Sequence, residues 1–381
     1  GGVDYTHGDL GRCTRDEFLS GNCEKVIGGY DFSDEDSDPM DDSGHGTHVA
    51  GIAAGNGVIR GVAYDARLYA YKVFPRSFSN VIISAIERSL DPNQDGDFSD
   101  KLDIISLSLG GLGNPDDPTS KAIDNAVDAG IIAVVAAGNK GPLSNTIGSP
   151  GAARKAITVG AVDINDEITD FSSRGPVNWI DENNNIAAMI KPDIVAPGFK
   201  ICSTKSDKDT TAQEVLDLHD IDIHCLDSDH IIISGTSMSA PHVSGTVALL
   251  KQKNPDWSPD EIKMALRNAA VDIDKEFTIQ GHGRINVLDS INLNERPSVA
   301  YLETGGFFAE GDAITIIGTA SGENFESYTL SYRDFRKDSW IEIFTGRDPV
   351  VNGILYENFK SESFIKGDYI LRLEVKTRNN L

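Results

Sequence analysis

The feature of this chain that most constrains its fold is a regular alternation of two patterns across residues 26–293. Short runs such as "RLYAYKVF", "DIISLSLG", "IIAVVAAG" and "AITVGAV" are continuous and rich in β-branched residues, as buried strands are. Between them, "VIISAIERSLD" and "SKAIDNAVDAG" carry apolar residues at helical spacing. This alternation predicts an α/β fold, with a mostly parallel sheet covered by helices on both faces.

Residues after Asn294 follow a different pattern. Strand-like runs ("AITIIGTA", "YTLSYRD", "WIEIFTG", "YILRLEVKT") succeed one another with Gly, Asn and Asp turns and no helical period. We therefore expect two domains, an α/β domain at 1–293 and a small all-β sandwich of the immunoglobulin or fibronectin kind at 294–381. Because the sequence stops at "RNNL" just after a strand, we expect this second domain to be truncated.

The charge balance limits the partners of the chain. There are 34 Lys and Arg residues against 59 Asp and Glu residues, which gives a net charge of −25. This excess of negative charge argues against nucleic acid and against an anionic membrane surface as partners. No run approaches the roughly 18 to 20 apolar residues of a membrane helix, so membrane insertion is not expected. Clustered acidic residues can instead bind divalent cations, which take oxygen ligands.

The four cysteines form two local pairs, Cys13 with Cys23 and Cys202 with Cys225, each in a polar, turn-rich stretch. This placement predicts two disulfides and a secreted or cell-surface protein, because disulfides persist in oxidising compartments. The alternative is a metal site. Neither pair has the tight spacing of a zinc knuckle, which favours disulfides.

Three polar residues near the ends of apolar runs are candidates for catalysis. His45 heads a small-residue helix in "SGHGTHVAGIAAG" and is either a base or a structural histidine. Ser237 lies in "ISGTSMSAPHVSGTVALL", where a turn becomes a helix with Pro241 in its first turn. It is either an N-cap or a nucleophile beside free N–H groups. Asn139 ends a strand in "AVVAAGNKG" and is an oxyanion donor or a turn residue with an unusual backbone angle.

Taken together, these stretches resemble the signature motifs of the subtilisin-like serine proteases, the subtilase family. "SGHGTHVAG", "AAGN" and "GTSMSAPHVSG" occur in the family's order, as do "GVAYDARLYAYKVF", "ISLSLGG", "FSSRGP" and "KPDIVAPG". The resemblance covers residues 1–293. It implies that Ser237 is the nucleophile, that His45 is its general base, and that Asn139 and the Ser237 N–H form the oxyanion hole.

The resemblance also implies a polypeptide substrate and a place for it. The substrate backbone would add as a strand along Ser108, Leu109 and Gly110. The primary specificity pocket would be walled by Ala136, Ala137 and Gly138, with Gly148 at its floor. Small residues there leave room for a large side chain, and no charge selects a basic one. His48 and His242 are implied to be structural neighbours.

A further stretch predicts a structural calcium ion. "DPNQDGDFSD" spaces oxygen ligands around a sharp turn at Gly96, as calcium loops do, with Asp97 contributing its backbone. The twelfth position is Leu102 instead of a bidentate Glu, so the loop is not a complete EF-hand; the alternative is a solvated acidic turn. Similar acidic insertions occur in subtilases. The predicted ligands are Asp91, Asn93, Asp95, Asp97 and Asp100.

The third member of a subtilase triad is not visible in the sequence. In the family, the aspartate ends the first strand, and the motif that contains it continues with residues very similar to "VDYTHGDLG". This alignment places the aspartate immediately before Gly1, and we expect the chain's own N-terminal segment, with its first strand, to supply it. The main reading is a secreted serine endopeptidase; the alternative is a catalytically impaired pseudoprotease or a surface scaffold or binding module.

Overall fold

A computed structural model describes residues 1–182, 184–208, 225–309, 311–360 and 367–378. Its helices, in chain order, are α1 Arg15–Leu19, α2 His45–Ala54, α3 Ser79–Arg88, α4 Pro118–Asp128, α5 Thr236–Lys253, α6 Pro259–Ala269, α7 Phe277–Gln280 and α8 Val287–Asn292. Its strands are β1 Val26–Asp31, β2 Leu68–Lys72, β3 Ile104–Leu107, β4 Ile132–Ala136, β5 Ile157–Val162, β6 Val177–Ile180, β7 Ile186–Met189, β8 Ile194–Pro197, β9 Ile201–Thr204, β10 His230–Ile233, β11 Val299–Leu302, β12 Ala313–Ser321, β13 Phe325–Asp334, β14 Ile341–Gly346, β15 Val350–Lys360 and β16 Tyr369–Thr377.

The centre of the molecule is a parallel sheet in the order β3-β4-β5-β8. Strands β4 and β5 are buried on both faces, which explains their continuous, β-branched sequences. Helices α5 and α6 cover one face with an apolar core that includes Val243 and Ile262. Helices α3 and α4 contribute Ile86 and Ile123 to the core on the other face. The predicted fold class is confirmed. β1 and β2 pair in parallel beside this sheet.

The C-terminal strands form two antiparallel sheets, β11-β12-β15 and β14-β13-β16, around their own core. Ile316 and Leu330 are fully buried between the sheets, and Tyr328 donates its hydroxyl to the carbonyl of Leu355 at 2.7 Å. Two sheets that share an apolar interior form a sandwich. This arrangement is the all-β region that the sequence predicts.

Both predicted disulfides are present. Cys13 and Cys23 are joined with their Cα atoms 5.8 Å apart. Cys202 and Cys225 are joined with a Cα separation of 5.9 Å. The first links two parts of the segment before β1, and the second links β9 to the segment before β10. No helix within the described ranges is long and apolar enough to cross a membrane.

Candidate active site

Ser237 is the second residue of α5, the helix that packs against the parallel sheet. Gly235 precedes the helix and accepts from the N–H of Met238 at 3.0 Å. The Ser237 hydroxyl donates to the carbonyl of Ser108 at 3.3 Å, a long hydrogen bond. The N–H of Ser237 has no acceptor among the described residues, as expected in a first helical turn. The serine therefore lies at the positive end of a long helix.

Pro241 corrects one sequence expectation. It is not in the first turn of the helix but is the sixth residue of α5. A proline there has no N–H to donate to the carbonyl four residues earlier, which belongs to Ser237. The hydroxyl of Ser108 donates to that carbonyl at 2.8 Å and satisfies it instead. The loop after β3 is thereby tied to the backbone of the candidate nucleophile.

Asn139 follows β4 and is held by the residue before Ser237. Its Oδ1 accepts from both the N–H and the hydroxyl of Thr236, each at 2.9 Å. A Cβ placed on Gly235 would be 3.2 Å from Nδ2 of Asn139 and 3.7 Å from the Ser237 nitrogen, so both donors flank one glycine. Nδ2 has no acceptor in the described part of the chain. The left-handed residue of this turn is Gly138, at φ +103°, and not Asn139.

His45 begins α2, as the sequence predicts. The helix is capped from outside by Asp41, a fully buried carboxylate. Asp41 accepts from the N–H groups of Ser43, Gly44 and Thr47 and from the hydroxyls of Ser43 and Thr47. Within the described part of the chain, the Asp41 carboxylate therefore bonds to groups other than the His45 ring. That ring has no hydrogen-bond partner among the described residues.

His45 is partly buried and lies close to the first residues of the sequence. Burial lowers the pKa of His45 to about 4, while the charge of Asp41 opposes this shift. The Gly1–Gly2 segment lies against the start of α2, since a Cβ on Gly46 would be 2.0 Å from the Gly2 carbonyl. Gly1 therefore lies beside the candidate base.

The two other histidines of the motifs have structural contacts. His48 shares its Nε2 proton between the carbonyls of Ile201 and Ile231, both at 3.1 Å. Burial lowers the pKa of His48 to about 4, so it is neutral at ordinary pH. His242 donates from Nδ1 to the carbonyl of Met238 at 2.8 Å.

The residues expected to bind substrate lie next to one another. The segment Ser108–Gly110 leaves β3, and the N–H of Gly111 donates to the carbonyl of Ser149 at 2.8 Å. A Cβ on Gly148 would be 1.9 Å from the Gly111 carbonyl, so only glycine allows this approach. Ala136 is the last residue of β4, and both it and Ala137 are buried. Gly138 donates its N–H to the Thr236 hydroxyl at 3.1 Å. The expected strand site and pocket residues therefore converge near Ser237.

The acidic loop forms a tight turn around Gly96, whose φ is +84°. Asp91 accepts from the N–H groups of Asp95 and Gly96 at 3.1 and 3.0 Å, and Asp95 accepts from the N–H of Asp97 at 2.8 Å. The Asn93 amide donates to Asp95 Oδ2 at 2.9 Å. These oxygens keep free lone pairs of the kind that calcium takes. Among the described residues, no group of three or more His, Cys, Asp or Glu side chains is placed to hold a metal ion.

Two residues of this site escaped sequence reasoning. Asp41 stands four positions before His45, where a carboxylate next to a helix start is a capping signal. Thr236 directly precedes Ser237. Its role, which is to hold the Asn139 amide by donating to Oδ1, depends on the tertiary contact between the two residues.

Comparison with known proteins decides the family. The subtilase family model matches residues 1–283. This chain belongs to the subtilase family. It is 38% identical over 293 residues to the serine protease AprX of Bacillus subtilis (strain 168), which covers 70% of this chain and 62% of AprX. It is 28% identical to the minor extracellular protease Vpr of the same organism, over 87% of this chain and 56% of Vpr.

The fold agrees with that membership. A solved structure described as proteases from Pseudoalteromonas arctica PAMC 21717 aligns with a TM-score of 0.59 and 26% identity, covering 76% of this chain and 86% of that one. Membership in the subtilases indicates a serine peptidase. The chain spans less than two thirds of the length of AprX and Vpr.

Proposed function

We propose that this protein is a serine endopeptidase that hydrolyses peptide bonds through an acyl-enzyme on Ser237. The observation that carries the proposal is the pair of free donors, Asn139 Nδ2 and the Ser237 N–H, on either side of Gly235. Two such donors beside a hydroxyl at a helix N-terminus can stabilise the oxyanion that forms when Ser237 Oγ attacks a carbonyl.

Proton transfer completes the mechanism. His45 accepts the Ser237 proton as Oγ bonds to the carbonyl carbon, and gives it to the leaving amine as the C–N bond breaks. Water then attacks the acyl-enzyme, again with His45 as the base, and releases the acid product. The test is hydrolysis of an unfolded protein substrate by the intact protein. Hydrolysis should be lost in Ser237→Ala; equal hydrolysis by that variant would refute the proposal.

For the triad carboxylate, we propose the position immediately before Gly1. The supporting observations are that the Gly1–Gly2 segment lies against the start of α2, and that the Asp41 carboxylate bonds to groups other than the His45 ring. A carboxylate there would orient His45 and stabilise its charged form. Loss of this group costs about 10⁴-fold in rate, a magnitude measured on subtilisin, another member of this family.

The test of the carboxylate position compares two versions of the chain, one with Val-Asp and one with Val-Asn added before Gly1. The aspartate version should be much faster. It should also have the acid limb of its kcat/KM profile at higher pH, because the new carboxylate raises the pKa of His45. Equal rates and equal profiles would exclude this position and favour the scaffold or binding-module alternative.

We propose that the substrate backbone pairs with Ser108–Gly110 and that its side chain enters the pocket at Ala136–Gly138 and Gly148. The convergence of these segments near Ser237 supports this assignment. We also propose structural calcium at the Asp91–Asp100 loop, with Asp91, Asn93 and Asp95 as side-chain ligands. When bound, the ion would stabilise the turn, and the chemical steps do not involve it.

We further propose that the protein works outside the cytosol. Two disulfides support this localisation, since thiols stay reduced in the cytosol. The name of the relative Vpr, a minor extracellular protease, agrees with it.

A further inference from the structure

A short segment from the C-terminal region pairs with the hairpin formed by β6 and β7 through one antiparallel bridge. The N–H of Ala188 donates to the carbonyl of Gly305 at 3.2 Å, and the N–H of Phe307 donates to the carbonyl of Ile186 at 2.9 Å. Ala187 and Gly306 form an antiparallel bridge between them. The segment Gly305–Phe307, just after β11, therefore extends a hairpin that belongs to the peptidase region.

This contact requires glycine. A Cβ on Gly305 would be 2.2 Å from the Ala188 carbonyl oxygen, and one on Gly306 would be 2.5 Å from that of Ile186. Real Cβ atoms do not approach so closely, so the two backbones meet only because both residues lack a side chain.

The same hairpin packs against the residues assigned to the specificity pocket. Val177 of β6 shares a small buried core with Ala137, Ile147 and Ala152. Trp179 and Met189, on the same face of the hairpin, pack against that core. Ala137 belongs to the proposed pocket wall, and Ile147 directly precedes Gly148 at its floor.

Hydrogen bonds connect the base of the hairpin to the segment that leads into the floor. The N–H of Thr146 donates to the carbonyl of Arg174 at 2.9 Å, and the N–H of Arg174 donates to the Thr146 hydroxyl at 2.9 Å. The N–H of Asn178 donates to Oδ1 of Asn145 at 3.0 Å. The position of residues 145–148 therefore depends on the position of the hairpin.

Trp179 also reaches the loop that follows the substrate segment. Its Nε1 donates to Oδ2 of Asp116 at 2.8 Å, and the Arg154 guanidinium lies 5.2 Å from its ring centre. Arg154 pairs with Asp116 at 2.6 Å. The hairpin thus contacts both sides of the proposed substrate cleft, the pocket floor and the loop beyond Gly110.

We propose that the Gly305–Phe307 segment is a specificity-determining element of the peptidase, acting through the β6–β7 hairpin on the shape of the pocket. A two-stranded hairpin is marginally stable in isolation, and the bridge and two hydrogen bonds from this segment restrain its position. Detaching that segment loosens the pocket wall and floor. The value of kcat/KM then falls for substrates whose large side chain fills the pocket. This inference rests on the proposed function.

The experiment uses the full chain with Gly305→Val, and with Phe307→Pro as a second variant that lacks the N–H donated to Ile186. Each is assayed on two peptides that differ in having Phe or Ala at the residue before the cut. The Phe-to-Ala ratio of kcat/KM should fall by about tenfold, mainly through KM for the Phe peptide. Hydrogen exchange should become faster at the Ala188 and Thr146 amides.

The matched control is Arg296→Ala. Arg296 pairs with Glu261 of α6 at 2.6 Å and so joins the two regions without touching the hairpin. It should leave the peptide ratio unchanged. The inference is overturned if the variants at 305 and 307 speed hydrogen exchange at the Ala188 amide but change neither exchange at Thr146 nor the Phe-to-Ala ratio of kcat/KM. It is also overturned if Arg296→Ala lowers that ratio as much as they do. Failure of the proposed function is different: the unmodified protein would then show no cleavage dependent on Ser237, while Thr146 exchange would still report on the hairpin.

Discussion

Thr236 donates two hydrogen bonds to a single atom, Oδ1 of Asn139, one from its N–H and one from its hydroxyl. The amide is thereby fixed with Nδ2 on the side of Ser237. We predict that Asn139→Ala lowers kcat by about 10²–10³-fold with little change in KM, a magnitude known from the matching donor in subtilisin, a relative. Steady-state kinetics on one peptide measure both constants.

The companion variant for Asn139 is Thr236→Val. It removes the hydroxyl donor but keeps the N–H bond to Oδ1, so its loss in kcat should be much smaller. A rise in KM with unchanged kcat in Asn139→Ala would show that this amide binds substrate instead of the transition state.

Calcium should stabilise the protein through the Asp91–Asp100 loop. Chelation is expected to lower the melting temperature, because an ion that binds only the folded state adds to its stability. In Asp95→Asn the melting temperature should depend less on calcium. Asp338→Asn, at a strongly exposed acidic residue of the C-terminal region, is the control and should keep the full response. A melting temperature indifferent to chelation in the unmodified protein would exclude the site.

Asp193 is a buried carboxylate surrounded by three cations. It lies 2.7 Å from Lys191 Nζ and 3.1 Å from Lys263 Nζ, and it also pairs with Arg267. Burial alone would raise the pKa of Asp193, but these cations hold it well below its usual value. Asp193→Asn leaves the cations without a counter-charge and should lower the free energy of unfolding by about 3–5 kcal/mol.

Urea unfolding measures this loss. The control is Glu326→Gln, at a half-exposed pair in which Lys376 Nζ lies 2.8 Å from Glu326, and it should cost less than about 1 kcal/mol. Similar losses in the two variants would contradict the importance of the buried cluster.

His230 lies between two carboxylates, Asp9 at 3.0 Å and Asp227 at 2.6 Å. Burial opposes its charge, but the bonds to Asp9 and Asp227 raise the pKa of His230. Burial likewise opposes ionisation of Asp9, yet bonds from His230 and from the N–H groups of Ile59 and Val58 lower the pKa of Asp9. In the folded state, His230 and Asp9 are therefore both charged at pH values between the pKa of Asp9 and the pKa of His230.

The sign of the pH effect follows. The raised pKa of His230 gives a stabilisation fully present below about pH 6.5 and lost as the pH rises through the folded value. The lowered pKa of Asp9 gives one present above about pH 4 and lost as the pH falls. His230→Gln should therefore lower the melting temperature more at pH 6 than at pH 9. Equal decreases at the two pH values would contradict this.

Local patterns in the sequence were sufficient for much of the fold and of the candidate site. Strands β4 and β5 are buried on both faces, so their sequences are continuous and β-branched. The motif helices begin where His45 and Ser237 predict. The sequence pattern did not identify β15, whose Asn and Gly residues disfavour a strand locally. β12 stabilises that strand by pairing with it along most of its length.

The remaining features depend on contacts between distant residues. Pro241 is tolerated inside α5 because the Ser108 hydroxyl, 129 positions before Ser237, donates to the Ser237 carbonyl that the proline leaves free. The segment that pairs with the β6–β7 hairpin comes from beyond residue 300, and its sequence shows neither the helical nor the strand pattern of apolar residues. Such pairings depend on the tertiary fold, and a local window does not contain them.

The most direct measurement of the central claim is covalent labelling of the nucleophile. The intact protein is treated with a serine-directed fluorophosphonate, digested, and examined by mass spectrometry. We predict one adduct, on Ser237, which is absent in Ser237→Ala and forms far more slowly in His45→Ala. The absence of an adduct on Ser237 in freshly prepared intact protein, or equal labelling of His45→Ala, would contradict a nucleophile activated by His45.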